Sequence, residues 1–164
     1  MLCNFKVKGF KGFDNEIEFD FESHNDYQFN KDLIKNNVIN KAIIYGKNGS
    51  GKTNIGYALF DIIFHLTDKD KNMYQYIQRN YLNLDSEHNY AEFCYEFKFD
   101  NDRITYRYKK ENLEKIAYEE VFLNNKKIIQ YDFKNVKNNF IDIKEAKTLN
   151  LPENSEISIL KYIF

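Results

Sequence analysis

The sequence has no tryptophan, one proline, six glycines and two cysteines in 164 residues. Cys3 and Cys94 stand far apart and share no spacing with a histidine that a zinc site would require, so they read as two reduced thiols in or near the core. No stretch approaches the roughly 18 apolar residues needed to cross a bilayer. The opening Met1-Leu2-Cys3-Asn4-Phe5-Lys6 has no basic segment followed by an apolar signal core, and the expected location is the cytoplasm. The excess of one charge sign that marks dedicated nucleic-acid binders is also missing. With 24 basic and 25 acidic residues the net charge is -1, so nucleic acid is a possible partner without support from charge.

What is abundant is aromatic: 15 Phe and 13 Tyr. Aromatic side chains favour strands, and scarce Gly and Pro leave few hard stops, so more strand than helix is expected. A chain of this length with 43% hydrophobic residues makes one packed domain, residues 1–164.

Along the chain, Leu2 to Gly9 reads as a strand and Gly9 to Asn15 as a turn. Glu16-Ile17-Glu18-Phe19-Asp20-Phe21 alternates at period two and should close a hairpin with the first strand. Ser23 to Asn37 reads as loop, with room for a turn of helix at Asp32-Leu33-Ile34. The compact apolar run Lys41-Ala42-Ile43-Ile44-Tyr45 stops at Gly46, the pattern of a buried central strand. Ile55, Leu59, Ile62, Ile63 and Leu66 share one helical face, which predicts a helix from about Lys52 to Leu66. A second short helix is expected within Met73 to Leu84. From Tyr90 the period returns to two, and segments 93–99, 103–108, 116–123 and 128–133 predict a four-stranded antiparallel meander. Pro152-Glu153-Asn154-Ser155 reads as the start of a last helix, and the abrupt end at Phe164 suggests a fragment.

One motif carries chemistry. Gly46-Lys47-Asn48-Gly49-Ser50-Gly51-Lys52-Thr53 fits G-x-x-x-x-G-K-[ST] without a mismatch, between an expected strand and an expected helix. Chance would supply such a match roughly once in several hundred chains of this composition. In such a Walker A loop the glycines let the backbone curl around phosphate, the lysine reaches the β- and γ-phosphates, and the threonine hydroxyl ligates Mg²⁺. Those roles fall to Lys52 and Thr53. No glycine follows Gly56, which leaves out the D-x-x-G element of a signalling GTPase and a glycine-bearing signature segment. Neither Phe140-Ile141-Asp142 nor Ala117-Tyr118-Glu119-Glu120 makes a convincing Walker B strand.

The order of these elements resembles a family. The hairpin opening Phe5-Lys6-Val7-Lys8-Gly9-Phe10-Lys11-Gly12-Phe13, the loop Tyr45 to Asn54 and the aromatic strands are similar to the N-terminal lobe of ABC-type AAA-family ATPases. This is the RecF, SMC and OLD-like group, which includes ATP-binding proteins of bacterial antiphage and abortive-infection systems. The resemblance implies an α/β P-loop fold, ATP and Mg²⁺ as ligands, and Lys52 as the catalytic lysine. It also implies contact with nucleotide from Gly46 to Asn54, with Lys11 approaching from the hairpin. Gln130 is a candidate for the family's γ-phosphate-sensing glutamine, or an ordinary strand-end residue. The family's signature segment, Walker B and switch histidine belong to a C-terminal half, so a homodimer or partner chain would have to complete the site.

The remaining residues read blandly. His24, His65 and His88 have no mutual metal spacing, and Lys109-Lys110 and Lys126-Lys127 read as solvated strand ends. Two other functions stay open: a truncated interaction module without catalysis, and a small phosphotransferase, for which only Arg79, Arg103 and Arg107 could form a basic lid.

Overall fold

A computed structural model describes residues 1–25, 28–67, 74–146 and 157–163. Its frame is one sheet of seven antiparallel-paired strands in the order β2-β1-β5-β6-β7-β8-β9. The strands are β1 (Leu2–Lys8), β2 (Ile17–Asp20), β5 (Ala91–Phe99), β6 (Asp102–Lys110), β7 (Ile116–Leu123), β8 (Lys126–Asp132) and β9 (Phe140–Ile141). Two short strands, β3 (Ile34–Lys35) and β4 (Val38–Ile39), form a separate ladder.

Period-two alternation sets the sheet's faces. Register places Phe5 opposite Tyr95, Tyr95 opposite Tyr106, and Tyr106 opposite Val121, which lies opposite Ile129, and all five are buried. This face carries the aromatic cluster, with Phe93 and Tyr108 stacked at 5.0 Å and Phe5 and Tyr95 tilted at 4.9 Å between centroids. The other face carries Lys6, Cys94, Arg107 and Glu120 in the matching register.

Against the apolar face lies α1 (Lys52–Leu66), with Ala58, Asp61 and Phe64 fully turned inward. The helix has the bounds its apolar spacing predicts. Two shorter helices follow, α2 (Tyr74–Gln78) and α3 (Ile159–Ile163).

The structure corrects three expectations. Residues 41–45 form no strand: Ile43 is 89% and Tyr45 91% exposed, and no described strand pairs with them. An apolar run becomes a central strand only when neighbours pair both its edges, and hydropathy alone does not supply them. The segment 23–37 is not only loop, because Asn36 and Asn37 take positive φ (51° and 62°) and turn β3 back on β4. The short helix expected within Met73 to Leu84 is α2, which ends at Gln78, because Asn80 adopts a left-handed φ of 50° and Leu82 bridges to Phe10. Lys110 is no solvated strand end but fully buried. The expected cap at Pro152 to Ser155, Met73 and Phe164 lie outside the described residues.

Candidate functional site

The loop at 46–53 is shaped by two glycines. Gly49 and Gly51 take φ of 81° and 90°, where any other residue would be strained. Gly51 caps α1, and its carbonyl accepts the Ile55 N–H at 3.0 Å. No side chain caps the helix, so its start presents the positive end of the dipole, the usual anion-binding feature. Lys52 folds back along the loop, its Nζ donating to the carbonyls of Gly46 at 2.7 Å and Lys47 at 2.8 Å. The amide of Ser50 donates to Lys47 at 3.3 Å and closes the turn. Thr53 is exposed in the first turn of α1, and Asn48 and Lys47 are exposed on the loop.

The hairpin turn after β1 supports this loop. A Cβ built on Gly51 would stand 3.0 Å from the Phe13 ring, and one on Gly12 would stand 3.4 Å from Asn54 Nδ2. Lys11, expected to approach a nucleotide, has its ammonium on backbone carbonyls and 5.5 Å from the centroid of the Tyr57 ring on α1. Its Nζ donates to the carbonyls of Ile77 and Arg79 at 2.9 Å each, with Tyr76 at 3.3 Å, at the end of α2. Burial holds its pKa below the usual lysine range. Gln130 is likewise engaged within its own sheet region, accepting Lys127 Nζ at 2.7 Å and donating to the Asn138 carbonyl at 3.3 Å.

Below the loop, α1 is fastened to the sheet by polar groups that sequence reading passed over. Asp61 is fully buried. Its Oδ1 accepts the Tyr81 hydroxyl at 2.8 Å, its Oδ2 accepts the Tyr108 hydroxyl at 2.8 Å, and Lys110 Nζ lies 3.2 to 3.3 Å from both oxygens. Burial pushes the Lys110 pKa down while Asp61 pulls it up, the first effect being larger. One turn earlier, the Tyr95 hydroxyl donates to the Ala58 carbonyl at 2.6 Å. Burial raises the phenols of Tyr81, Tyr95 and Tyr108 well above their ordinary value, so they remain protonated donors.

A second buried chain runs from the far end of α1. His65 Nε2 lies 2.6 Å from the Tyr106 hydroxyl, which donates to Glu119 Oε2 at 2.8 Å. The same carboxylate accepts the Ser158 hydroxyl at 2.8 Å and the Ile159 amide, anchoring α3. Glu119 is therefore a structural tether, and its pKa is raised by burial against these hydrogen bonds. Of the other acidic candidate, Asp142, the carboxylate sits at 2.8 Å from Lys126. The one sequence signal for these networks is a charge or tyrosine on an otherwise inward stripe: Asp61 recurs at helical spacing between Ala58 and Phe64, and Tyr106 and Tyr108 recur at strand spacing.

Among the described residues, no group of three His, Cys, Asp or Glu could hold a metal, and no helix is long and apolar enough to cross a membrane. No curated protein matches the chain. A family model described as an AAA domain matches residues 4–163, from the first strand through α3. The match takes in the loop, the helix it caps and all of the sheet but the first two residues of β1, and the chain belongs to this AAA-domain family of nucleotide-binding, ATPase-type proteins.

Proposed function

We propose that the chain binds Mg-ATP through Gly46 to Thr53 and serves as the nucleotide-binding lobe of an ABC-type ATPase of the RecF, SMC and OLD-like group. ATP binding and hydrolysis would be coupled to dimerisation and to a nucleic-acid or defence-related effector. The observation that supports this most is Lys52, whose ammonium lies on the Gly46 and Lys47 carbonyls inside a loop made by two left-handed glycines. That arrangement concentrates positive charge where the uncapped start of α1 also points.

The residues present fit a triphosphate and its ion. A Cβ at Gly49 would meet nothing within 4 Å, so a phosphate can come up to the backbone there. Thr53 offers an exposed hydroxyl, and Mg²⁺ commonly takes one or two protein oxygens together with phosphate oxygens and waters. When bound, the ion would be held on the protein side by the Thr53 hydroxyl and would supply positive charge to offset that of the phosphates. Lys52 binds the phosphate oxygens and stabilises charge that grows on them. The loop backbone orients the chain of phosphates by its N–H groups. The group that orients the attacking water, with the signature segment, would come from a partner chain or a second copy.

A second reading is an interaction module that folds around nucleotide and recruits a partner without turnover. It is favoured by the exposed apolar segment at Ile43, Ile44 and Tyr45, which leads directly into the loop. Light scattering on the purified protein with and without Mg-ATP, alongside a phosphate-release assay, separates the two. Nucleotide-dependent dimers that release phosphate support the ATPase. Nucleotide-bound protein with no turnover, even as a dimer, supports the module.

A further inference from the structure

We propose that Asp61 is a positioning residue for the nucleotide loop: paired with Lys110, it fixes the rotation of α1 about its axis and so aims Lys52 and the first-turn N–H groups. This rests on the reading of residues 46–53 as a nucleotide site.

Asp61 stands nine positions after Lys52 on the same helix, about 13.5 Å along its axis at 1.5 Å per residue. The apolar contacts that hold α1 to the sheet are non-directional, and its flanking Ile55, Leu59 and Ile62 are only half-buried. Such a helix can roll by small angles at little cost. Side chains lie roughly 5–6 Å from a helix axis, so a roll of about 20° would carry Lys52 about 2 Å sideways. A displacement of about 1 Å is already enough to spoil reactive geometry. Hydrogen bonds, unlike apolar contacts, are directional. Asp61 receives them from two separate elements, Tyr81 after α2 and Tyr108 with Lys110 on β6. The Tyr95 bond to Ala58 adds a third from β5. Together they prevent the roll.

The energetics point the same way. A buried ion pair is generally no more stabilising than apolar side chains of the same volume, so the pair is a poor device for stability alone. Tyr81 then links the pair back to the loop. Its hydroxyl holds Asp61, while its carbonyl accepts the Lys11 amide at 3.0 Å. Lys11 belongs to the turn whose Phe13 ring sits against Gly51. The frame is closed: mid-helix carboxylate, Tyr81, hairpin turn, Gly51, and α1 again.

The test is the double variant Asp61→Leu/Lys110→Met, which removes both charges and keeps the volume filled. Three quantities are read on the whole chain: thermal midpoint, hydrogen exchange of the α1 amides at 55–59, and the Mg-ATP dissociation constant. The expected result is a folded protein, its midpoint lowered by the loss of the acceptor for the buried Tyr81 and Tyr108 hydroxyls, with exchange at 55–59 at least tenfold faster and nucleotide binding at least tenfold weaker. A folded double variant with native exchange and native affinity overturns the proposal. Should the double variant not fold, Tyr81→Phe removes one arm only, and the same two readouts are expected to move about threefold. No movement in that variant also overturns the proposal. Wild-type protein that fails to bind Mg-ATP overturns the nucleotide reading instead, and exchange at 55–59 then decides alone whether Asp61 holds the start of α1.

Discussion

Gly51 and Phe13 meet so closely that a single Cβ on the glycine would stand 3.0 Å from the ring, at a backbone φ of 90°. The turn after β1 therefore packs against the 46–53 loop through a contact only glycine permits. Gly51→Ala should cost about 1–2 kcal/mol from the left-handed backbone, with the ring clash in addition. We expect a thermal midpoint lowered by several degrees and Mg-ATP affinity reduced at least tenfold. Native binding by the alanine variant would show that the loop tolerates another backbone path.

Lys11 Nζ is held by backbone carbonyls of the fold. Its three carbonyl partners end α2, and charge-assisted hydrogen bonds contribute roughly 1.5–3 kcal/mol in such settings. Lys11→Met should lower the thermal midpoint while leaving the Mg-ATP dissociation constant within about threefold of native. A large loss of affinity with an unchanged midpoint would return Lys11 to the nucleotide.

His65 makes stability depend on pH. Burial holds its folded pKa well below 6.5, with the Lys110 and Lys161 charges acting in the same direction. Below about pH 6.5 the unfolded chain takes up a proton that the folded chain refuses, so the stability His65 contributes is present above that pH and lost as pH falls. The slope reaches at most about 1.4 kcal/mol per pH unit. Glu119 works oppositely, since its raised pKa favours the fold at low pH, but its contribution is common to wild type and a His65 variant. Between pH 7.5 and 5.5 the midpoint of wild type should fall further than that of His65→Phe. Parallel curves would mean that His65 titrates normally in the fold.

Ile43 tests the exposed segment. At 89% exposure, Ile43→Glu should leave the midpoint within about 1 °C, because surface substitutions rarely change stability. A charge in a buried strand would instead cost several kcal/mol. If the protein associates in a nucleotide-dependent way through this segment, the same variant should remain monomeric in light scattering.

Much of this architecture was legible in local pattern. The period-two runs at 93–99 and 103–108 lie within β5 and β6, and the spacing of Ile55, Leu59, Ile62 and Leu66 gave α1 its bounds. The glycine-rich motif marked a turn, and Gly49 and Gly51 there take positive φ. What escaped depends on partners distant in sequence. Residues 41–45 have the hydropathy of a central strand, yet strand pairing is a property of neighbours, and no described strand pairs with them. Lys110 looked like a surface lysine because its counter-charge, Asp61, sits 49 residues earlier on a different element. The same holds for Glu119, which is tied to Ser158 and Ile159 by a fold-level contact that no local window contains.

The most direct test of the nucleotide reading is a calorimetric titration of Mg-ATP into the wild-type chain, with Lys52→Ala as the paired variant. Among the described residues Lys52 Nζ is bonded to the Gly46 and Lys47 carbonyls at the exposed loop, so its removal should cost the fold little. Micromolar binding by wild type that weakens about a hundredfold or more in Lys52→Ala is the expected result. Equal binding by the two proteins, or no binding by a folded wild type, would contradict it.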